Sequence, residues 1–306
     1  MQYLTLGLGG LEEGLIYAIM AIGIFVSFRV LDIPDLTVDG SFITGSAVSV
    51  MVTGLGMPTL GVVLSFLAGA VAGLITGVLH TKLKVQPILA GILTMTGLYS
   101  INLMIMGENP NISIFGQKTI FTPMLDFMSQ ISPEMTVVMK KVATIPVLLL
   151  IVLAIIIVLY LFLKTQIGLA LRATGDNVDM VKASSINADG MKILGLAIAN
   201  GLVALSGAIL TQNQNFADAK AGTGMVVIGL ASIIIGEAIF GKRSVLNNII
   251  SAVLGAVTYR LLIIIVFQMG MPASYLKLLS ALIVVVALSI PLITNAVNKR
   301  RIKRNA

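Results

Sequence analysis

The sequence predicts an all-α, polytopic membrane fold, and three observations carry that prediction. Of 306 residues, 57% are apolar and 11% charged, where a soluble domain carries about 25% charged residues, and the mean hydropathy is +1.03. The apolar content falls into repeated stretches of the length, about 20 residues, that crosses a hydrocarbon core of about 30 Å. The alternating ten-residue pattern of a membrane barrel is absent, which leaves helices as the structure that satisfies its own backbone in lipid. The prediction is one transmembrane domain over residues 1–306, with about nine membrane-spanning helices and breaks in some of them.

The spans are expected at 12–30, 39–56, 59–80, 86–106, 145–163, 190–211, 223–241, 247–269 and 272–293. Glu12 and Glu13 open the first. No Lys or Arg precedes them, so the basic region of a cleavable signal peptide is missing and the span is expected to be retained. The second follows LDIPDLTVDGSF, where Pro34 interrupts helical hydrogen bonding and Asp35, Thr37, Asp39 and Ser41 crowd polar groups at the helix start. Two readings stand: a broken helix lining a solute path, or acids that cap a helix N-terminus at the cytoplasmic interface. In the third span Gly69, Gly73 and Gly77 recur at intervals of four, a spacing that lets another helix approach closely. His80 at its end has no companion ligands, which excludes a metal site there. Thr94, Thr96, Tyr99 and Asn102 in the fourth span, with Asn200 and Ser206 in the sixth, are candidates for a polar path or for interhelical hydrogen bonds.

Two connections exceed simple turns. The outer one, 107–144, contains the apolar run TIFTPMLDFM, suited to lie along a membrane surface. The inner one, 164–192, alternates small, polar and charged residues, with a short helix expected over 176–185 capped by Asp176 or Asn177. It reads either as a docking element for another protein or as a solvated linker. Glu237 and Arg260 fall within the seventh and eighth spans. They form an intramembrane pair, or else Glu237 sits at the cytoplasmic headgroups beside Lys242 while Arg260 reaches for the far surface.

The net charge of +7 is distributed in short patches and in the tail KRRIKR, a topological pattern and not a nucleic-acid footprint. With the C-terminus cytoplasmic, that side collects fourteen Lys and Arg and the outer side five, namely Lys118, Lys140, Lys141, Lys220 and Lys277. An odd number of spans then puts the N-terminus outside. The absence of cysteine excludes disulfides and thiolate chemistry. No GxxxxGK[ST] loop is present to bind a nucleotide, and no paired-acid or HExxH constellation to support a membrane enzyme.

Three stretches resemble a known family. GLALRATGDNVDMVKASSIN with NGLVALSGAIL is similar to the signature of permeases for ribose-type sugars and branched-chain amino acids in ATP-binding-cassette importers. Arg172, Ala173, Asn177, Ala183, Ile186 and Asn187 stand in register, and Ser185 replaces a glycine. LDIPDLTVDGSF resembles the family's Asp-Leu-Ser-Val-Gly element, with Asp39 where glycine is usual, and GTGMVVIGLASIIIGEAIFGKRS resembles its glycine-rich segment. LDIPDLTVDGSF and GEAIFG look closest to the branch associated with tryptophan or other aromatic amino acids. The resemblance implies a non-catalytic permease subunit in a prokaryotic plasma membrane. It implies a homodimer or a pair of related permeases, separate ATPase subunits that bind the ATP, an extracytoplasmic binding protein, and no resident cofactor or metal. With the charged short helix and the polar helix start, it makes Arg172, Asp176, Asn177, Asp179 and Lys182 the candidates for ATPase coupling, and Asp35, Thr37, Asp39, Ser41, Asn102 and Asn200 the candidates for the substrate path. The rival reading is a secondary transporter or channel without an ATPase, and sugars or nucleosides are rival substrates.

Overall fold

A computed structural model describes residues 2–131 and 136–268, and beyond these Tyr275, Leu278, Ala281, Leu282 and Val285. The expected ninth span, 272–293, lies almost wholly outside the described residues. The first helix, α1, runs Gln2–Phe25, ten residues earlier than expected, because nothing in the glycine-leucine run before Glu12 breaks a helix. It continues as a single π-helical turn, Val26–Val30, and ends at a left-handed Asp32 (φ 54°) followed by irregular chain through Pro34. Then come α2 (Val38–Gly54), α3 (Pro58–Thr81) and α4 (Pro87–Ile105). Proline at the first position of α3 and α4 suits a site where the missing N–H would be unpaired anyway.

The outer connection holds β1 (Asn111–Ser113) and α5 (Thr122–Ile131), the latter overlapping the run expected at the membrane surface. Next are α6 (Val137–Lys164), α7 (Gln166–Asp176), α8 (Val178–Ala183), α9 (Ala188–Gln214), β2 (Phe216–Asp218), α10 (Met225–Phe240) and α11 (Val245–Gln268). β1 and β2 pair antiparallel, Ile112 opposite Ala217, and tie the outer connection to the end of α9. Two differences from expectation have physical causes. Helix α6 starts eight residues before 145 because Lys141, which suggested loop, is paired inside the protein. The inner connection is helical from Gln166, since Thr165 caps α7 through the Gly168 N–H at 3.2 Å.

Among the described residues six helices are long and apolar enough to cross a membrane: those at Thr5–Val30, Pro58–Thr81, Pro87–Ile105, Val137–Lys164, Ala188–Gln214 and Val245–Val266. Helices α2 and α10, of 17 and 16 residues, are shorter. Burial separates centre from periphery. The most apolar window of the first span is 83% buried and that of α9 72%, against 28% in α4 and in α6. Helix α1 is wrapped by α6, α9, α10 and α11, and α9 is wrapped by α1, α2 and α3. Large side chains such as Met104, Leu150 and Val158 face outward from the peripheral helices, an arrangement only lipid can solvate. The chain is therefore an all-α, multi-pass membrane protein.

The Gly69, Gly73 and Gly77 stripe is the seam between α3 and α9. A methyl group at Gly73 would collide with the Leu196 carbonyl, and one at Gly69 with Ala204 and the Asn200 carbonyl. Small residues bring the two backbones into van der Waals contact, which supplies the association energy that hydrophobicity cannot supply between helices in lipid.

Candidate functional site

The break between α1 and α2 gathers the polar residues that the sequence singled out. Asp35 is 1% exposed. Its carboxylate accepts the Thr37 N–H at 2.8 Å, an Asx turn that starts α2, and the Asn200 side-chain amide from α9 at 2.6 Å. The Asn200 oxygen accepts the Ser41 hydroxyl at 2.7 Å, and its amide also donates to the Leu196 carbonyl at 3.0 Å. A second row runs through hydroxyls: Thr37 and Thr76 lie 2.7 Å apart, and Thr76 donates to Thr94 at 2.9 Å. Four helices, α2, α3, α4 and α9, are thus joined by side-chain hydrogen bonds around one break. An unpartnered polar group is costly in lipid, and these groups answer one another.

Asn102 on α4 donates to the Gly40 carbonyl at 3.2 Å, while its own buried oxygen meets no partner among the described residues. Asp39 behaves otherwise. Its two oxygens accept the backbone N–H groups of Gly224 (2.8 Å) and Val226 (2.9 Å), so it caps the N-terminus of α10 and not that of its own helix. A carboxylate there meets the positive end of a helix dipole and uses N–H groups with no partner inside the helix. All six path candidates therefore meet at or beside the break, five of them buried and Asp39 partly so. Thr76 was missed by the sequence reading. Its signal was the face Gly69, Ala72, Gly73, Thr76, Gly77, a small-residue stripe with one hydroxyl in register.

The inner loop packs onto the other side of the same break. Gly175 of α7 leaves no room for a side chain against the Val30 carbonyl, and Leu31 fills a notch between Gly195 and Leu171. Asn177 caps α8 by accepting the Met180 N–H at 3.0 Å; Asp176 ends α7. Val181 anchors α8 with 1% exposure, leaving Asp179 and Lys182 facing outward. Arg172 and Asp176 line a cleft of about 220 Å³ together with Phe25, Arg29, Glu237 and Lys242.

The intramembrane acids and bases pair differently from the Glu237–Arg260 alternative. Glu237 accepts Arg29 at 2.5 Å and Lys242 at 2.8 Å. Arg260 pairs with Glu13 and lies over the Tyr17 ring, 5.3 Å from its centre. Glu12 takes the Lys141 ammonium at 2.8 Å and the Thr144 hydroxyl at 2.6 Å. Helix geometry explains the segregation. Glu12 and Arg29 are seventeen residues apart in one continuous helical segment, a rise of about 25 Å, so Glu237 and Arg260 sit at opposite ends of the bundle, each with a partner from the first span.

Over residues 8–288 the chain matches the family described as the permease component of branched-chain amino acid transport systems. It is 39% identical, over 91% of its length and 89% of the relative's, to a tyrosine transport system permease protein of Clostridioides difficile. It is 33% identical to an uncharacterised protein of Rickettsia prowazekii, over 91% of this chain and 95% of that one. A ribose import permease of Haemophilus influenzae is 27% identical over 80% of this chain and 73% of its own. No solved structure matches. With the helical bundle, the broken first span and the charged inner loop, these matches make the chain a member of the branched-chain amino acid permease family, a permease component of ATP-binding-cassette import systems.

Proposed function

We propose that this permease conducts an aromatic amino acid, with tyrosine the first candidate. The observation that carries the reading is the 39% identity to a tyrosine permease across nine-tenths of both chains, well above the 27% to a ribose permease. The assembly is two copies of the chain around one path, with two ATPase subunits at the cytoplasmic face and a binding protein outside. ATP is bound by the ATPase, and α7 and α8 dock on it through Arg172, Asp176, Asn177, Asp179 and Lys182. An exposed charged face on α8 with a single buried anchor, Val181, supports that assignment. The bundle spans a prokaryotic plasma membrane nine times, with its N-terminus outside and its C-terminus cytoplasmic. The fourteen Lys and Arg on the cytoplasmic side against five outside support the orientation.

The wall of the path includes the break after the first span. Asp39 and Asn102 stand nearest to it, one partly exposed and the other with an oxygen unsatisfied. Asp35, Thr37, Ser41 and Asn200 hold the broken segment from behind. The test is ATP-dependent uptake of labelled tyrosine, tryptophan, leucine and ribose into vesicles that carry the permease with its ATPase and binding protein. Accumulation of tyrosine or tryptophan ahead of leucine, with none of ribose, is expected; ribose accumulation alone overturns the substrate class.

A further inference from the structure

The cytoplasmic cleft holds an arginine whose charge is unanswered. Arg172 on α7 is half-buried and makes no side-chain hydrogen bond or ion pair among the described residues. It lines the cleft that also holds Glu237, whose carboxylate is 8% exposed and is taken by Arg29 and Lys242. Arg29 belongs to the π-helical turn that ends the first span. That turn is gripped on its other side by α7, through Gly175 against the Val30 carbonyl and Leu31 in the notch of Leu171 and Gly195. Lys242 follows Gly241, whose φ of 80° turns the chain from α10 to α11. One carboxylate therefore joins the π-turn to the α10–α11 turn, and Arg172, with Asp176 one helical turn further along α7, lines the same cleft of about 220 Å³.

A π-turn places one more residue in the helical ring than its neighbours, and it often marks a point where a helix shifts. Because α7 contacts the turn directly, movement of the inner loop cannot leave the Arg29 guanidinium undisturbed. Closing the cleft brings Arg172 to Glu237. Two discrete partners for one buried acid are the ingredients of a two-state element. We propose that Glu237 is a cytoplasmic latch: it holds the π-turn through Arg29 when the loop is withdrawn, and passes to Arg172 when the ATPase drives α7 toward α10. This rests on the assignment of α7 and α8 to ATPase docking, with Asn177, Asp179 and Lys182 at the contact and Arg172 lining the cleft.

The chain contains no cysteine, so introduced thiols are the only ones the permease carries. Two double variants that keep Arg29, Arg172 and Glu237, namely Phe25→Cys with Val245→Cys and Asp176→Cys with Val245→Cys, all at positions lining the cleft, are assembled with ATPase in lipid nanodiscs and treated with a short bifunctional thiol reagent. The second pair is expected to cross-link several-fold more after trapping with ATP and vanadate than without nucleotide, and the first pair less. Equal cross-linking of the second pair in both states overturns the latch. Glu237→Gln is expected to raise ATP hydrolysis in the absence of binding protein several-fold, and the exchange Arg29→Glu with Glu237→Arg to lower it again; unchanged hydrolysis in Glu237→Gln also overturns it. Retention of the ATPase is measured alongside for Asp179→Arg with Lys182→Glu. Retention equal to wild type overturns the docking assignment together with the latch, whereas loss of the ATPase there with unchanged cross-linking of the cleft pairs overturns the latch alone.

Discussion

At the scale of single residues, the buried polar groups divide by whether a neighbour in sequence or a distant helix answers them. Thr44, Thr81, Thr174 and Ser232 each donate to the carbonyl four residues earlier, a bond any helix offers. Asn200 is different, since it joins Asp35, Ser41 and the Leu196 carbonyl at once. Asn200→Ala removes the one side-chain donor from another helix that Asp35 has among the described residues and leaves the carboxylate buried, at a cost of about 3 kcal/mol. Ser206→Ala, which loses one hydroxyl bond from α9 to the Ile16 carbonyl, costs about 0.6 kcal/mol. Thermal unfolding in detergent is expected to show a large drop in midpoint for the first and a small one for the second. Equal midpoints would mean that Asp35 does not depend on the amide. The sequence made Asp35 and Asn200 legible as polar residues in apolar surroundings. That they touch was not legible, because 165 positions separate them. Asp39 shows the same gap: an acid at a helix start reads as that helix's cap, yet the N-terminus it serves is that of α10.

At the scale of elements, close approach decides which glycines matter. Gly73 faces the Leu196 carbonyl across the α3–α9 seam, whereas Gly97 in α4 has nothing within 4 Å of where a methyl would stand. Gly73→Ala must push two backbones apart and costs about 3 kcal/mol. Gly97→Ala meets no obstacle in an ordinary helical position and is expected to stabilise by about 0.5–1 kcal/mol. The yield of folded protein after solubilisation, with the unfolding midpoint, separates them; a tolerated Gly73→Ala would place the seam elsewhere. Spacing by four made the Gly69–Gly77 stripe legible as a packing face, but its partner could be any helix, and only the packed bundle selects α9. Helix α7 was invisible to the same reading. Its short run of small and charged residues lacks a long apolar face, and it is held by the Thr165 cap and by burial of Leu171 and Gly168 against the bundle.

At the scale of the whole molecule, the charges are sorted to two ends, and this yields a prediction for orientation. In the cysteine-free chain, Lys118→Cys in the outer connection and Asp179→Cys in α8 both lie at exposed positions. A membrane-impermeant maleimide is expected to label the first in intact cells and the second only after the membrane is opened. The reverse pattern would invert the topology. Composition and span length determined by themselves that the chain lives in lipid as a helical bundle, because no other solvent accepts so much apolar surface and no other structure satisfies a backbone there. The three family-like stretches determined the permease family, through residues in the inner loop, the break and the glycine-rich segment. Tertiary structure alone decided the pairing: Glu12 with Lys141, Glu13 with Arg260, Glu237 with Arg29 and Lys242, Asp35 with Asn200. The reason is physical. Hydrophobic length is a local property that each segment carries in its own sequence, but a buried charge or amide is satisfied only by whatever the packing of other helices brings within about 3 Å.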